Sequence, residues 1–296
     1  AMNKSFLQVD VFTSQPLSGN PAAVVFDADD LDARTMQRIA REMNLSETVF
    51  VLAPESPDTD YRVRIFTPSS ELPFAGHPTI ATASAVRAHR GDLADASLLR
   101  QACGIGIVPV EVVPTEGPPI YWMTQASPQF RNTAIGPGEM SALLGCDANM
   151  LAAMPVEVVS TGIPWLIAEL RSVAALASLR PDLPRIAERC RASGAVGVTV
   201  FAEHEADAPV RLRLRTFAPG EGVAEDPVCG SGNGCVAAFL ARHRHASALQ
   251  GGYLAEQGIE MGRDGLIHVE WTRNGDELTV RVGGQAVTVA SGTLHL

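Results

Sequence analysis

The chain carries the same order of motifs twice. Gly19-Asn20-Pro21 leads into the apolar run Ala22-Ala23-Val24-Val25, and Gly162-Ile163-Pro164 leads into Trp165-Leu166-Ile167-Ala168. Met36, Ile39, Ala40 and Met43 have the i, i+3, i+4, i+7 spacing of a one-sided helix, and Leu183, Ile186, Ala187 and Cys190 repeat it. Thr48-Val49-Phe50 returns as Thr199-Val200-Phe201. Arg64, Phe66 and Pro68 return as Arg215, Phe217 and Pro219, and Pro73 and Gly76 as Pro227 and Gly230. The separation between copies only grows along the chain, as small loop insertions would make it. A duplicated αβ unit is therefore expected, which restricts the fold to two similar halves. The breaker cluster Pro114-Thr115-Glu116-Gly117-Pro118-Pro119 places the boundary. The halves are 1–117 and 118–296, with the C-terminal strand available to complete the first.

Phe6 to Phe12, Ala22 to Phe26, Thr48 to Leu52, Tyr61 to Phe66 and Leu278 to Val282 read as strands. The amphipathic Met36 to Met43 helix belongs outside the sheet. The segments after the two glycine turns differ from it. Leu72 to Val86 has no formal charge apart from one that His77 could carry, and Pro227 to Ala241 has none. A helix without a polar face must be enclosed on all sides. Alanines in both segments (Ala75, Ala81, Ala83, Ala85; Ala237, Ala238, Ala241) let strands approach closely. The expectation is an α+β fold of two similar domains related by a pseudo-two-fold, each a curled mixed sheet around one central helix. The turns that open those helices are the expected working end.

Composition excludes several function classes. A net charge of −10 repels phosphate backbones and anionic membranes, so nucleic acid is not an expected partner. No charge-free apolar run reaches the length of a membrane span. Ala1-Met2-Asn3-Lys4 shows no basic-then-apolar secretion signal, the leading Ala reading as a cloning remnant. Five cysteines without a CxxC pair fit a reduced, cytoplasmic protein. Lys4 is the single lysine and lies in the N-terminal segment, which leaves no candidate for a Schiff-base or pyridoxal-phosphate enzyme.

A helix N-terminus presents unpaired N–H groups and partial positive charge, suited to a carboxylate or phosphate. Gly230-Ser231-Gly232-Asn233-Gly234 lets backbone approach such an anion, and Ser231 adds a hydroxyl. Gly76-His77-Pro78-Thr79 plays the same part in the first half, with Pro78 suited to a first helical turn. Two such ends facing one cleft would hold a small acid and stabilise charge building on its carboxylate as an adjacent C–H loses a proton. The plainer alternative is a pair of glycine-tight turns into buried helices. The spacing G-x-G-x-G is not the dinucleotide pattern, and no phosphate loop is present. His243 and His245 alternate with Arg242 and Arg244 at a helix C-terminus, where cations belong, so no metal site is expected. Cys103, Cys146 and Cys190 read as small core residues.

Several motifs now come in a familiar order. Gly19-Asn20-Pro21, Asn44-Leu45-Ser46-Glu47-Thr48-Val49-Phe50, Phe66-Thr67-Pro68 and Glu71-Leu72-Pro73-Phe74-Ala75-Gly76-His77-Pro78 are followed by Glu225-Asp226-Pro227 and Gly230-Ser231. Nearly end to end the chain resembles the phenazine-biosynthesis PhzF-like family, within the diaminopimelate-epimerase-like superfamily. The resemblance implies an active site in the cleft between two similar domains, no cofactor, a small carboxylate substrate and a homodimer. It also implies that Glu47 is the proton-transferring acid/base. His77 and Asp226 would bond the substrate or relay protons, and Gly76, Gly230 and Ser231 would supply the anion-binding turn. The residues agree: Glu47 interrupts an apolar strand, where burial would raise a carboxyl pKa toward neutrality. Its repeat partner is read as Val198, so the fold itself does not need the acid.

Cys229 departs from the pattern, standing where epimerases of the superfamily carry their second catalytic cysteine. Ala75 occupies the partner position, so a two-thiol mechanism is incomplete. A helix N-terminus would lower the Cys229 thiol pKa, whereas the plainer reading is a turn-packing or substrate-contacting residue. Three readings follow. The first is a cofactor-independent isomerase moving a proton on a small carboxylic acid in a biosynthetic pathway, with Glu47 as acid/base. The second is an amino-acid epimerase, racemase or dehydratase with Cys229 as one base, and the third a binding protein that has lost turnover.

Overall fold

The computed structural model of the chain describes residues 2–296, which fall into two compact units. The first comprises the chain up to Met123 together with Gly283–Leu296, the second Thr124–Val282.

The first unit runs β1 (Asn3–Val11), β2 (Asn20–Val25), α1 (Ala33–Met43), β3 (Thr48–Leu52), β4 (Tyr61–Phe66) and a short β5 (Glu71–Leu72). Then come α2 (Gly76–His89), β6 (Leu98–Cys103), β7 (Gly106–Val113) and β8 (Ile120–Thr124). The C-terminal strand Ala286–His295 pairs antiparallel with β1 along its length. From there the sheet continues through β2, β3, β4, β6, β7 and β8, with β2·β3 and β4·β6 parallel.

The two helices lie against opposite faces of this sheet. Alternate residues Val25, Phe50, Leu52 and Phe66 meet Met36, Ile39 and Ala40 of α1 in one apolar cluster. Asp32 caps α1 by accepting the Thr35 N–H, and Asn44 ends it with φ +52°, a left-handed conformation that asparagine tolerates. α2 packs instead on β1, β2, β3 and the C-terminal strand, and Ile80, Ala81, Ala83, Ala85 and Val86 are buried. Its enclosure follows from the charge-free sequence, because no face could be left to water.

The second unit repeats the plan. β9 (Gln129–Asn132) and α3 (Pro137–Leu144) precede β10 (Glu157–Ser160), β11 (Pro164–Glu169), α4 (Val173–Ala177) and α5 (Leu183–Ser193). β12 (Gly197–Glu203), β13 (Leu212–Ala218), β14 (Val223–Asp226) and α6 (Gly230–His243) follow. β15 (Gln250–Gln257), β16 (Gly265–Asn274) and β17 (Glu277–Gly284) complete the series. The sheet order is β9, β10, β11, β12, β13, β15, β16, with β11·β12 and β13·β15 parallel. β14 pairs antiparallel with β13. α5 packs outside on Val198, Val200, Ala202 and Phe217, while α6 lies against β10, β11, β12, β15 and β16. At the end of α6, Arg242 pairs with Glu157 and Arg244 with Glu169, and His243 Nε2 lies 2.9 Å from Glu157 Oε2.

Strand register corrects one equivalence drawn from the motifs. Phe66 pairs with Thr48, and its counterpart Phe217 pairs with Val198 rather than Thr199. The two Thr-Val-Phe triplets are therefore one residue out of step, and such a slip moves each side chain to the other face. Val198, Val200 and Ala202 face α5 as Phe50 and Leu52 face α1. Glu47 thus corresponds to Gly197 rather than Val198.

Candidate active site

In the first unit the left-handed turn at Asn44 ends α1 and brings the chain back toward the sheet. Glu47 stands immediately before β3 instead of interrupting it, its carbonyl accepting the Ala23 N–H at 3.3 Å. The Glu47 side chain is 16% exposed, and Oε2 lies 3.3 Å from Nε2 of His77, itself 9% exposed. That approach is an ion-pair distance whose geometry makes no hydrogen bond, so Oε2 is a buried acceptor without a hydrogen-bond partner. Buried acceptors are rarely left so, and a site that moves protons is one place where they occur.

His77 is the second residue of α2, and its Nε2 is also 3.4 Å from the Pro21 carbonyl oxygen. With Glu47 ionised, both oxygens are acceptors, and a ring lone pair aimed at them would be repelled. Nε2 therefore carries its proton in that state. Thr79 and Thr82 bond back to the Ala75 and Pro78 carbonyls, and Gln101 donates to Thr79, which fixes the first turn of α2. A Cβ on Gly76 would meet only Met123 Cε, at an ordinary 3.8 Å. Packing within the protein therefore does not require glycine there.

The start of α6 is held by a denser network. Gln257 Oε1 accepts from the Cys229 N–H and from Asn233 Nδ2, while Gln257 Nε2 donates to the Asp226 carbonyl. Asn233 Nδ2 also reaches the Cys229 carbonyl at 3.0 Å, and Gln125 Nε2 donates to the Gly230 carbonyl at 3.0 Å. Gly232 lies against the buried Thr199 and Thr216 hydroxyls, where a Cβ would stand 2.7 Å from Thr199 Oγ1. The indole of Trp165 donates to Ser231 Oγ at 3.0 Å.

Cys229 caps α6 through its sulfur, which accepts the Gly232 N–H at 3.3 Å and lies 3.5 Å from Ser231 Oγ. Here the structure reverses an expectation from the sequence. Burial pushes the thiol pKa well above its ordinary value, and the charge of Asp226 raises it further. Hydrogen bonds from Ser231 and Gly232 act the other way but are outweighed. Desolvation exceeds what the helix start supplies, so Cys229 is a protonated thiol near neutral pH.

Of the residues singled out from sequence, the first unit brings Glu47, His77 and Gly76 together, and the second brings Asp226, Cys229, Gly230 and Ser231 together. Sequence reasoning missed Gln125, Gln257 and the contact that Trp165 makes. Asn233 and the glycines around it were visible as a turn, but no spacing connects Gln125 or Gln257 to it. Among the described residues, no group of three or more His, Cys, Asp or Glu side chains is placed to hold a metal ion, and no helix is long and apolar enough to cross a membrane.

The chain as a whole is similar to known proteins. The family described as phenazine biosynthesis-like protein matches residues 9–292. A trans-2,3-dihydro-3-hydroxyanthranilate isomerase of Pseudomonas chlororaphis is 40% identical over 297 residues, covering 98% of this chain and 99% of that one. The crystal structure of a Bacillus anthracis phenazine biosynthesis protein of the PhzF family superposes with a TM-score of 0.91 at 29% identity, covering 100% of both chains. A hydroxyproline epimerase from Agrobacterium vitis shares the fold, with a TM-score of 0.64 at 12% identity over 99% of this chain and 91% of that one. With its α+β plan of curled mixed sheets and its family motifs in order, the chain belongs to the phenazine-biosynthesis-like, PhzF family.

Proposed function

We propose that this isomerase moves a proton on a small carboxylic acid of the dihydro-hydroxyanthranilate kind, with Glu47 as the general acid/base. The observation that carries the reading is the buried Glu47 Oε2, without a hydrogen bond and 3.3 Å from the His77 imidazole. An ionised carboxylate takes the proton from one carbon of the substrate, and the resulting carboxylic acid returns a proton to another. Composition and oxidation state are unchanged, as isomerisation requires, and neither a lysine nor a redox group is called on. His77, whose Nε2 lies 3.3 Å from Glu47 Oε2 without a hydrogen bond to it, bonds the substrate or relays the proton. Gly76 lets the substrate come close to the α2 backbone, a role supported by the absence of any packing demand for glycine there.

Gly230 and Ser231, with Cys229 and Asp226 beside them, hold the substrate carboxylate through the N–H groups and hydroxyl at the start of α6. An epimerase using Cys229 as one base is disfavoured by its raised thiol pKa and by Ala75 at the partner position. The five unpaired cysteines support a cytoplasmic location, and the family resemblance supports a homodimer, which sedimentation velocity tests. The functional test is turnover of trans-2,3-dihydro-3-hydroxyanthranilate against its carboxamide. The acid should be isomerised, with kcat/KM for the amide at least about 100-fold lower, since charge-assisted hydrogen bonds to the carboxylate are lost. Equal turnover of acid and amide would contradict the carboxylate-holding role.

A further inference from the structure

We propose that Trp165 is a positioning residue that turns the Ser231 hydroxyl into a hydrogen-bond donor toward the substrate carboxylate. The inference rests on the reading of the α6 turn as the carboxylate holder. Trp165 is the second residue of β11 and is 5% exposed. An indole N–H can only donate, so at 3.0 Å it occupies a lone pair of Ser231 Oγ and leaves the hydroxyl hydrogen to be placed elsewhere. Within the protein the acceptor at hand is Cys229 Sγ, 3.5 Å away. That sulfur is a weak acceptor and already takes the Gly232 N–H. A carboxylate oxygen is far stronger, so a substrate arriving at the turn takes the hydroxyl hydrogen from sulfur without any side chain having to move.

The scaffold does not impose a tryptophan at this place. The equivalent of Trp165 in the first unit is Ala22, and the equivalent of Ser231 is His77. Bulk sits on the helix in one unit and on the strand in the other. In the second unit the strand has been cleared for the indole. A Cβ on Gly197 would stand 2.7 Å from Trp165 Cζ3, as well as 2.2 Å from the Phe217 carbonyl oxygen. A ring held by packing, with its single donor aimed at the one hydroxyl of the turn, fixes the direction of that hydroxyl before substrate binds, which is where preorganisation gains affinity.

The test is a double-mutant cycle on Trp165→Phe and Ser231→Ala, read as calorimetric affinity for anthranilate, with aniline as the comparator that lacks the carboxylate. Phenylalanine keeps an aromatic ring and loses the N–H. Trp165→Phe should weaken anthranilate about tenfold, the effect of one hydrogen bond, and leave aniline unchanged. On the Ser231→Ala background it should have no further effect. Should Trp165→Phe fold poorly, 3-benzothienylalanine at position 165 keeps the indole shape with sulfur in place of N–H, and the same pattern is expected. An effect that is fully additive with Ser231→Ala, or equal for aniline, would reduce Trp165 to a packing residue and overturn the proposal. Failure of the unaltered protein to bind anthranilate would instead overturn the carboxylate-holder reading on which it rests.

Discussion

Glu47 and Cys229 show how neighbouring groups decide what a side chain can do. Both stand where chain enters a regular element, Glu47 before β3 and Cys229 as the cap of α6. Glu47 faces an imidazole, whereas Cys229 faces Asp226 and has lost its water. Sequence makes the carboxylate legible because NLSETVF is a distinctive segment. It misleads about the thiol, since a helix start is visible in sequence and the depth of burial at that start is not. The sign of the Cys229 effect follows from linkage. A thiol whose folded pKa is raised keeps its proton, and stability falls as pH rises past the ordinary thiol range, where the unfolded chain ionises and the folded chain does not. Alkylation of Cys229 by iodoacetamide in the folded protein should therefore be far slower than that of a free thiol near neutral pH, and mass spectrometry of the labelled peptide checks it. Rapid labelling at that pH, with loss of activity, would restore the thiolate reading.

At the scale of elements, the two helices whose sequence is charge-free up to the last turn are the most legible part of the fold. Their lack of a polar face requires enclosure, and α2 and α6 are enclosed. The amphipathic period was equally clear for α1. The strand register was not legible, because Thr48-Val49-Phe50 and Thr199-Val200-Phe201 look equivalent while backbone pairing sets them one residue apart. Side-chain identity survives such a slip in a one-dimensional match, but the face each residue presents does not. The corrected equivalence makes Gly197 the counterpart of Glu47, and it carries a prediction. Gly197→Ala would drive a methyl group into the Phe217 carbonyl and the Trp165 ring, and should destabilise the protein by about 3 kcal/mol, at the upper end of overpacking costs. A urea denaturation midpoint unchanged by the substitution would show that β12 can shift to accommodate a side chain.

At the scale of the whole chain, the first unit is finished by residues that come last in sequence. The C-terminal strand pairs with β1 from Asn3 to Val11, and β9 occupies the corresponding edge of β10 in the second unit. Deleting residues 286–296 would leave β1 with an unpaired edge carrying Val9 and Val11, both fully buried in the intact protein. The truncated protein should aggregate or lose hydrogen-exchange protection in β1 while β11 and β12 keep theirs. Unchanged protection in β1 would contradict a structural role for the last strand. The order of elements and the family motifs run along the entire chain and so could be read from it. The buried amides of Gln125 and Gln257, which hold the α6 turn, could not, because their partners are set by tertiary contact alone.

The central claim is that Glu47 carries the proton. Its most direct measurement is deuterium incorporation into product from trans-2,3-dihydro-3-hydroxyanthranilate turned over in D2O, followed by mass spectrometry for the unaltered protein and for Glu47→Gln. Glutamine keeps the shape of the side chain and removes the base. The account predicts deuterium in the product of the unaltered protein to the extent that the Glu47 carboxyl proton exchanges with solvent before it is returned, with conversion by Glu47→Gln slower by at least about 100-fold and its thermal unfolding little changed. Near-equal rates in the two proteins would contradict it and move the proton transfer to another group.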